Sequence, residues 1–296
     1  MFDRRRFLAA GLAAPAFLGA CGNGATAPAT AAGKGDYAAA RAGFHTKLLR
    51  NGPSAAAPMP DPPAGVERTE YKSGELSLAA WFKRPAGDAA VPAVLFLHGG
   101  FAFGGEDWDM ASPYLDAGFA VMTPILRGED GQAGVYSLFY DEVDDVLAAA
   151  DHLASQPGVD GSKLFVAGHS VGGTMTMLAA MASDRFRGAA SFSGSPDQVK
   201  FIKGGMSSEE IPFDTSDPRE FEMRSPLSWP GSFKAPARLF YGSQESFFSD
   251  TTPRLAQAAK AAGGDVVAQD FPGDHFGAVP AERAASIAFF RQVAAP

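Results

Sequence analysis

One serine in this sequence stands in a glycine-rich setting that suits a nucleophile. Residues 168–173 read Gly-His-Ser-Val-Gly-Gly and lie between a predicted strand and a predicted helix. A serine hydroxyl attacks a carbonyl only when it is exposed, rigidly held and close to a base. A sharp strand-to-helix turn exposes the side chain, and glycine neighbours let the chain bend that tightly. We therefore predict that Ser170 is a catalytic nucleophile; the alternative is an ordinary loop serine.

The base that would activate Ser170 can be found by elimination among five histidines. Four of them are badly placed: His45 precedes a proline-rich stretch, His98 ends a strand, His152 lies inside a helix, and His169 adjoins Ser170 and cannot reach round to it. His275 remains, in a loop that follows the last predicted strand. Loops at the carboxyl ends of parallel strands converge on one crevice, so His275 is the predicted general base.

A carboxylate is needed to orient the His275 ring and stabilise its cation. Glu245 is the favoured candidate, because it follows the predicted strand at residues 237–241. Asp250, five residues further on, and Asp197, which follows the preceding strand, are rivals. Asp274 adjoins the histidine and is badly placed to bond its ring.

Backbone N–H groups are the expected partners of the negative charge that develops on the substrate carbonyl oxygen. By position, the expected donors are Val171, at the start of the helix behind the serine, and Gly100, with Phe101 beside it. Glycine lets a backbone approach a ligand closely, and losing one such donor typically costs about 2.7–4 kcal/mol of transition-state stabilisation. The alternative for residues 98–100 is a plain tight turn.

The elements that must position these residues alternate along the chain. Short apolar runs predict strands, and apolar residues at helical spacing predict helices. The predicted strands are 69–72, 76–82, 93–97, 119–123, 164–167, 189–192, 237–241 and 266–271, and the predicted helices are 36–49, 140–155, 172–182, 253–262 and 281–293. Such alternation predicts an α/β fold, a mostly parallel twisted sheet with helices on both faces and an antiparallel N-terminal hairpin.

Taken together, these motifs resemble the α/β-hydrolase superfamily, in its dienelactone-hydrolase and prolyl-oligopeptidase-like branch. The resemblance covers roughly residues 66–293 and rests on segments that occur in that family's order: residues 98–101, 127–128, 168–173, 225–227, 242–245 and 273–275. It implies a serine hydrolase with the order nucleophile, acid, histidine. The family usually has Asp where this chain has Glu245, and some of its peptidases have a tyrosine in place of His98. A histidine there favours an oxyanion hole made of backbone N–H groups.

Composition narrows the possible partners and cofactors. The 296 residues are 46% hydrophobic, which is enough for a large core, and the net charge of −8 argues against nucleic-acid binding. A single cysteine excludes a disulfide framework. Five acidic residues within 141–151 could suggest a metal site, but they interleave with apolar helix positions, so we expect a solvated face: Asp141, Glu142, Asp144, Asp145 and Asp151. We predict no cofactor and a small-molecule acyl substrate.

The N-terminus resembles a bacterial export signal. Arg4 and Arg5 are followed within a few residues by a short apolar run ending at Ala20, as in twin-arginine signal peptides. Residues 18–21 read Leu-Gly-Ala-Cys, which resembles a lipobox, so Cys21 is the predicted lipidation site. The alternative is an ordinary signal peptide with an incidental cysteine. We expect the mature protein to be held at the cell envelope by acyl chains.

These observations predict three regions: a signal peptide at 1–20, a lipidated tether and strap at 21–66, and a catalytic domain at 67–296, with 196–232 as a candidate cap over the crevice. The predicted function is an exported serine hydrolase that cleaves an ester or related acyl bond. True oligopeptidases carry an N-terminal propeller, which is not expected in the short segment before residue 67. The alternatives are a small peptidase or amidase with the same triad, and a non-catalytic binding protein on a hydrolase scaffold.

Overall fold

An eight-stranded sheet runs through the described part of the chain, residues 35–52 and 58–295 of a computed structural model. Its strands are β1 (Glu67–Ser73), β2 (Leu76–Lys83), β3 (Val91–Leu97), β4 (Ala120–Pro124), β5 (Val159–His169), β6 (Gly188–Phe192), β7 (Ala237–Gly242) and β8 (Val266–Phe271). Their spatial order is β1-β2-β4-β3-β5-β6-β7-β8. The β1–β2 and β2–β4 pairs are antiparallel and the remaining pairs are parallel. The predicted fold class, including its antiparallel start, is confirmed.

Helices cover both faces of this sheet. They are α1 (Tyr37–Ala42), α2 (Gly105–Ala111), α3 (Pro113–Asp116), α4 (Glu142–Ala154), α5 (Val171–Ala182), α6 (Gln198–Gly205), α7 (Pro218–Glu222), α8 (Ser246–Ala261) and α9 (Val279–Ala294). Successive side chains of a strand point to opposite faces. Accordingly, Leu95 of β3 belongs to one apolar cluster and Phe96 to the other. Burial on both faces explains why the central strands are continuous apolar runs.

Two predicted helices have different bounds in the structure, and four short helices have no predicted counterpart. The first predicted helix, 36–49, ends at Ala42, where Gly43 caps it, and Leu48 instead forms an isolated bridge with Phe213. Helix α8 begins at Ser246, seven residues before Pro253, which stands inside the helix without a backbone N–H to donate. The short helices α2, α3, α6 and α7 were not predicted, although Pro113 at the start of α3 is a usual helix-initiating residue.

The predicted solvated acidic face is wrong for two of its five members. Glu142 and Asp145 are fully buried. Glu142 accepts hydrogen bonds from the backbone N–H of Ser137 and Tyr140, and burial raises its pKa to about 7 although the Ser137 bond opposes this. Asp145 pairs with the Arg127 guanidinium at 2.7 Å. In the described residues, no group of three or more His, Cys, Asp or Glu side chains could hold a metal ion.

The predicted signal peptide, Cys21 and the first part of the tether lie outside the described residues. Residues 53–57 of the predicted strap also lie outside them. Among the helices of residues 35–52 and 58–295, none is long and apolar enough to cross a membrane.

Candidate active site

Ser170 occupies the turn between β5 and α5 in a backbone conformation that is rare for a residue with a side chain. Its φ is 57° and its ψ is −115°, and such strained conformations cost about 1–3 kcal/mol and cluster at functional sites. The Ser170 N–H donates to the Phe192 carbonyl oxygen across 2.8 Å, which ties the turn to the end of β6. The side chain is partly exposed. The structure thus has the sharp strand-to-helix turn that the sequence predicts, with the serine partly exposed.

Glycine is required on both sides of the elbow because other backbone lies where a Cβ atom would be. A Cβ atom at Gly172 would stand 2.1 Å from the Leu97 carbonyl oxygen, and one at Gly168 would stand 2.4 Å from the Gly172 carbonyl oxygen. Real Cβ contacts are never this short, so the strand, the turn and the helix can pack together only with glycine at these positions.

His275 and Glu245 are brought together at the carboxyl ends of β7 and β8. His275 Nδ1 lies 2.5 Å from Glu245 Oε1. The other carboxylate oxygen of Glu245 accepts from the Gly242 N–H at 2.8 Å and from the Ser193 hydroxyl at 2.5 Å. These bonds fix the carboxylate in place, so it can set the orientation and tautomer of the imidazole. Sequence reasoning missed Ser193, because a serine after β6 carries no motif of its own.

The other acidic candidates have different partners. Asp250 pairs with Lys200 at 3.0 Å, and Asp197 caps α6 by accepting from the Lys200 N–H at 3.0 Å. Asp274 accepts from the Gly277 N–H at 2.8 Å, within its own loop. Of the four carboxylates that the sequence offered, the geometry places Glu245 alone against the His275 ring.

The second ring nitrogen of His275, Nε2, is buried and makes no hydrogen bond with the described residues. Ser170 Oγ and His275 Nε2 therefore do not form a hydrogen bond in this conformation. Catalytic hydrogen bonds are often long in free enzymes and tighten when substrate binds. The His275 ring lies 4.5 Å from the ring of His169, the residue before the serine, and Nε2 is the ring nitrogen that does not face Glu245.

His169 links the serine turn to the histidine loop, a role that sequence reasoning missed. Its Nε2–H donates to the His275 carbonyl oxygen at 2.8 Å, and the two rings lie 4.5 Å apart between centroids. Burial, and to a lesser degree the neighbouring His275, lower the pKa of His169 to about 3, although the bond to the His275 carbonyl opposes this. His169 therefore stays neutral and holds the loop that carries His275.

The glycine loop after β3 lies directly against the nucleophile. A Cβ atom at Gly99 would stand 3.5 Å from the Ser170 Cβ and 3.2 Å from His169 Nδ1. Gly100 has a φ of +68°, which glycine adopts without strain, and Phe101 is partly buried with its ring edge-on to Tyr136. Val171 begins α5, where helix N–H groups have no partner within the helix. The predicted oxyanion donors therefore flank Ser170.

A row of four phenylalanine rings leads away from His275. Phe248 stacks on the imidazole at 5.9 Å with 16° between the planes, and successive contacts of 5.0, 6.4 and 6.2 Å join the rest. We call this set the aromatic row: Phe248, Phe247, Phe201 and Phe139. Phe201 comes from α6, within the candidate cap segment. Three of the rings are partly exposed and Phe139 is buried, so the row offers apolar surface next to the histidine.

Strand order, serine elbow and histidine loop together define a serine hydrolase of the α/β-hydrolase fold. More narrowly, the chain belongs to the prolyl oligopeptidase family, whose model matches residues 108–286. The chain is 25% identical over 202 residues to "Putative esterase YitV" of Bacillus subtilis (strain 168), an alignment that covers 56% of this chain and 79% of the relative.

Solved structures share the fold. An acylaminoacyl peptidase of Pyrococcus horikoshii matches with a TM-score of 0.63 and 22% identity, over 77% of this chain and 40% of that chain. A "Putative Dienelactone Hydrolase" of Klebsiella pneumoniae subsp. pneumoniae MGH 78578 matches with a TM-score of 0.58 and 20% identity, over 77% of this chain and 98% of that chain. The chain thus spans less than half of the peptidase. At these identities the likeness establishes the fold alone.

Proposed function

We propose that this protein is an esterase that cleaves a carboxylic ester or related acyl bond through an acyl-enzyme on Ser170. The observation that carries the proposal is the 2.5 Å contact between His275 Nδ1 and Glu245 Oε1 beside a strained elbow serine. As Ser170 Oγ attacks the carbonyl carbon, His275 Nε2 takes its proton and then delivers it to the leaving alkoxide. A water molecule, deprotonated by the same nitrogen, attacks the acyl-enzyme; the acyl–oxygen bond breaks, the acid is released, and the proton passes from Nε2 to Ser170 Oγ.

Charge is stabilised at two places during this cycle. Glu245 faces the imidazolium that forms when His275 takes the proton, and the Val171 and Gly100 N–H groups receive the oxyanion. Both sets of groups are held before the substrate arrives: Glu245 by Gly242 and Ser193, and the N–H groups by the helix start and the glycine loop. Such preorganisation is what makes these donors effective in the transition state.

The substrate that suits this site has an apolar group next to its ester. The aromatic row begins at the Phe248 ring on His275 and reaches Phe201 in the candidate cap. We therefore expect an acyl or alcohol group that extends from the reacting carbon to contact phenylalanine rings. Removing apolar surface from water contributes about 25 cal/mol per Å². We therefore propose that the cap segment, 196–232, contributes to substrate binding through Phe201.

A fluorophosphonate probe tests the nucleophile directly. The probe should label the full chain at Ser170, as mass spectrometry of the tryptic peptide would show, and Ser170→Ala should lose both the label and the hydrolysis of p-nitrophenyl esters. Ser246→Ala, which changes an exposed serine at the start of α8, is the matched control and should keep both. Labelling of another residue, or no labelling at all, would overturn the proposed triad and favour a non-catalytic binding protein.

A peptidase or amidase with the same three residues is the second candidate. Membership of the prolyl oligopeptidase family and the fold shared with an acylaminoacyl peptidase favour it. Purified protein should be assayed with matched pairs of p-nitrophenyl esters and p-nitroanilides that carry the same acyl group. A kcat/KM for the anilides equal to or above that for the esters would assign the protein to the peptidases.

We further propose that the protein is exported and held at the cell envelope through lipid on Cys21. The support is the sequence alone: the arginine pair, the apolar run and the lipobox-like residues 18–21. More than one acyl chain is needed for stable membrane attachment.

A further inference from the structure

We infer that His98 is a positioning residue that aims the Gly100 N–H into the oxyanion hole; this inference rests on the proposed acyl-transfer function. His98 directly follows β3, immediately before the glycine loop, and its side chain is buried. Both ring nitrogens make hydrogen bonds inside the protein. Nε2 lies 2.9 Å from Glu129 Oε2, and Nδ1 lies 3.2 Å from the Gly99 carbonyl oxygen.

A doubly protonated ring satisfies both of these partners. The Gly99 carbonyl can only accept a hydrogen bond, so Nδ1 must carry a hydrogen. Glu129 Oε2 also accepts the Leu126 N–H at 3.1 Å, and a protonated Nε2 gives this carboxylate oxygen a second donor. The ring and the carboxylate are both buried, with exposed side-chain fractions of 2% and 0%. Burial alone would lower the pKa of His98, but the Glu129 charge and bond outweigh it and raise the pKa to about 9.

The bond to Gly99 matters because of the geometry of the peptide group. In a trans peptide the C=O of one residue and the N–H of the next are coplanar and point in opposite directions. No peptide bond between described residues is cis. The His98 ring, by holding the Gly99 oxygen on one side, therefore directs the Gly100 N–H to the other side. Nothing lies within 4 Å of the Gly100 Cβ position, so no packing against that position fixes the peptide group.

The imidazolium also makes the Gly100 N–H a better donor. A charged donor bonded to a carbonyl polarises the peptide, which increases the partial positive charge on its N–H. The polarised group lies beside Ser170, because the Gly99 Cβ position is 3.5 Å from the Ser170 Cβ. Glu129, His98 and the Gly99–Gly100 peptide thus form a chain of contacts from the buried core to the site where the oxyanion develops.

Two substitutions separate the contacts of the ring. An asparagine amide nitrogen stands close to where Nδ1 of a histidine stands, so His98→Asn can still donate to Gly99. A glutamine nitrogen reaches the place of Nε2, so His98→Gln keeps the Glu129 contact and loses the Gly99 contact. We expect His98→Gln to lower kcat by about 10- to 100-fold with KM unchanged, less than the loss of a whole donor. His98→Asn should lose less than about fivefold.

Paired oxygen and thiono esters report the oxyanion hole itself. Sulfur accepts hydrogen bonds poorly, so wild type should prefer the oxygen ester strongly, and His98→Gln should reduce that preference about tenfold whereas His98→Asn should not. A general packing defect would slow both esters alike. Equal losses in the two variants, or an unchanged ester preference in His98→Gln, would overturn the inference.

A measurement on wild type makes the test independent of how well the variants fold. Nitrogen-15 NMR of histidine-labelled protein should show His98 with both ring nitrogens protonated at pH 7, and a neutral ring would overturn the inference. Labelling of Ser170 by the fluorophosphonate probe is run in parallel. If wild type is not labelled, the proposed function fails; if wild type is labelled and the variants behave alike, only the role of His98 fails.

Discussion

Replacing Glu245 with glutamine would leave the His275 ring facing the wrong partner. In the native site one carboxylate oxygen accepts from His275 Nδ1–H at 2.5 Å, and the other accepts from the Gly242 N–H at 2.8 Å and from Ser193. A glutamine has only one oxygen for these two positions. Because the Gly242 N–H can only donate, the amide oxygen is expected to stay there, which turns the amide NH2 group toward His275.

This amide group would select the wrong tautomer of the ring. An NH2 donor opposite Nδ1 favours a neutral imidazole with its hydrogen on Nε2, the nitrogen that must receive the Ser170 proton. The amide also brings no negative charge to stabilise the imidazolium. A carboxylate-to-amide change of this kind lowers kcat about 10⁴-fold, which corresponds to about 5 kcal/mol of transition-state stabilisation.

The assay is the kcat for a p-nitrophenyl ester, measured for Glu245→Gln from pH 6 to 10 with thermal melts in parallel. Asp250→Asn and Asp197→Asn are the matched controls, and each should stay within about twofold of wild type because their carboxylates bond Lys200 and the start of α6. If Glu245→Gln kept more than about a tenth of the wild-type kcat, or if Asp250→Asn were the more damaging change, the assignment of the acid would be wrong.

The aromatic row, the His98 ring and Cys21 can each be tested by one substitution. Phe201→Ala should raise KM about tenfold for long-chain esters and leave KM for acetate esters nearly unchanged, since it removes a ring of the aromatic row. Val199→Ala, which changes an exposed residue of the same helix, is the control. Equal effects of Phe201→Ala on both chain lengths would contradict the proposal. The free energy of unfolding should fall as the pH rises from about 6.5 to 9, by up to about 1.4 kcal/mol per pH unit. The reason is that folded His98, with a pKa of about 9, keeps a proton that the unfolded chain has released. Denaturant melts across this pH range would show the slope, and His98→Gln should flatten it. Cys21→Ser should move the protein out of the membrane fraction of expressing cells with ester hydrolysis unchanged, and equal membrane retention would contradict lipidation.

Sequence analysis identified most securely the site residues whose neighbours in the sequence carry a recognisable pattern. Ser170 is flanked by glycines that the tight turn requires, and His275 was the one histidine in a loop after a late strand. Glu245 could be favoured but not separated from Asp250 and Asp197, because all three follow strands. The contacts that distinguish them span long stretches of chain: Glu245 receives its bonds from Ser193 and His275, 52 and 30 residues away.

The buried acids show a second limit of sequence analysis. Helical periodicity placed Glu142 and Asp145 on a polar face of α4, and polar faces are normally solvated. In the structure Asp145 is covered by the loop that carries Arg127, and Glu142 is covered by the loop that carries Ser137. A helix pattern reports which side is polar, whereas only the path of neighbouring loops decides whether water reaches that side.

The strained backbone of Ser170 affects the temperature at which the enzyme loses activity. The φ of 57° is maintained by packing around the turn, including the bond to Phe192 and the glycine contacts with the Leu97 carbonyl. If any of these contacts loosens, the turn can relax to an ordinary backbone conformation, which lowers its free energy by about 1–3 kcal/mol. The Ser170 hydroxyl then moves out of its position in the active site. No residue within the eight strands has a positive φ, so the sheet itself stores no strain of this kind. Hydrolytic activity should therefore disappear at temperatures where the sheet and its helices are still folded, and recover on cooling.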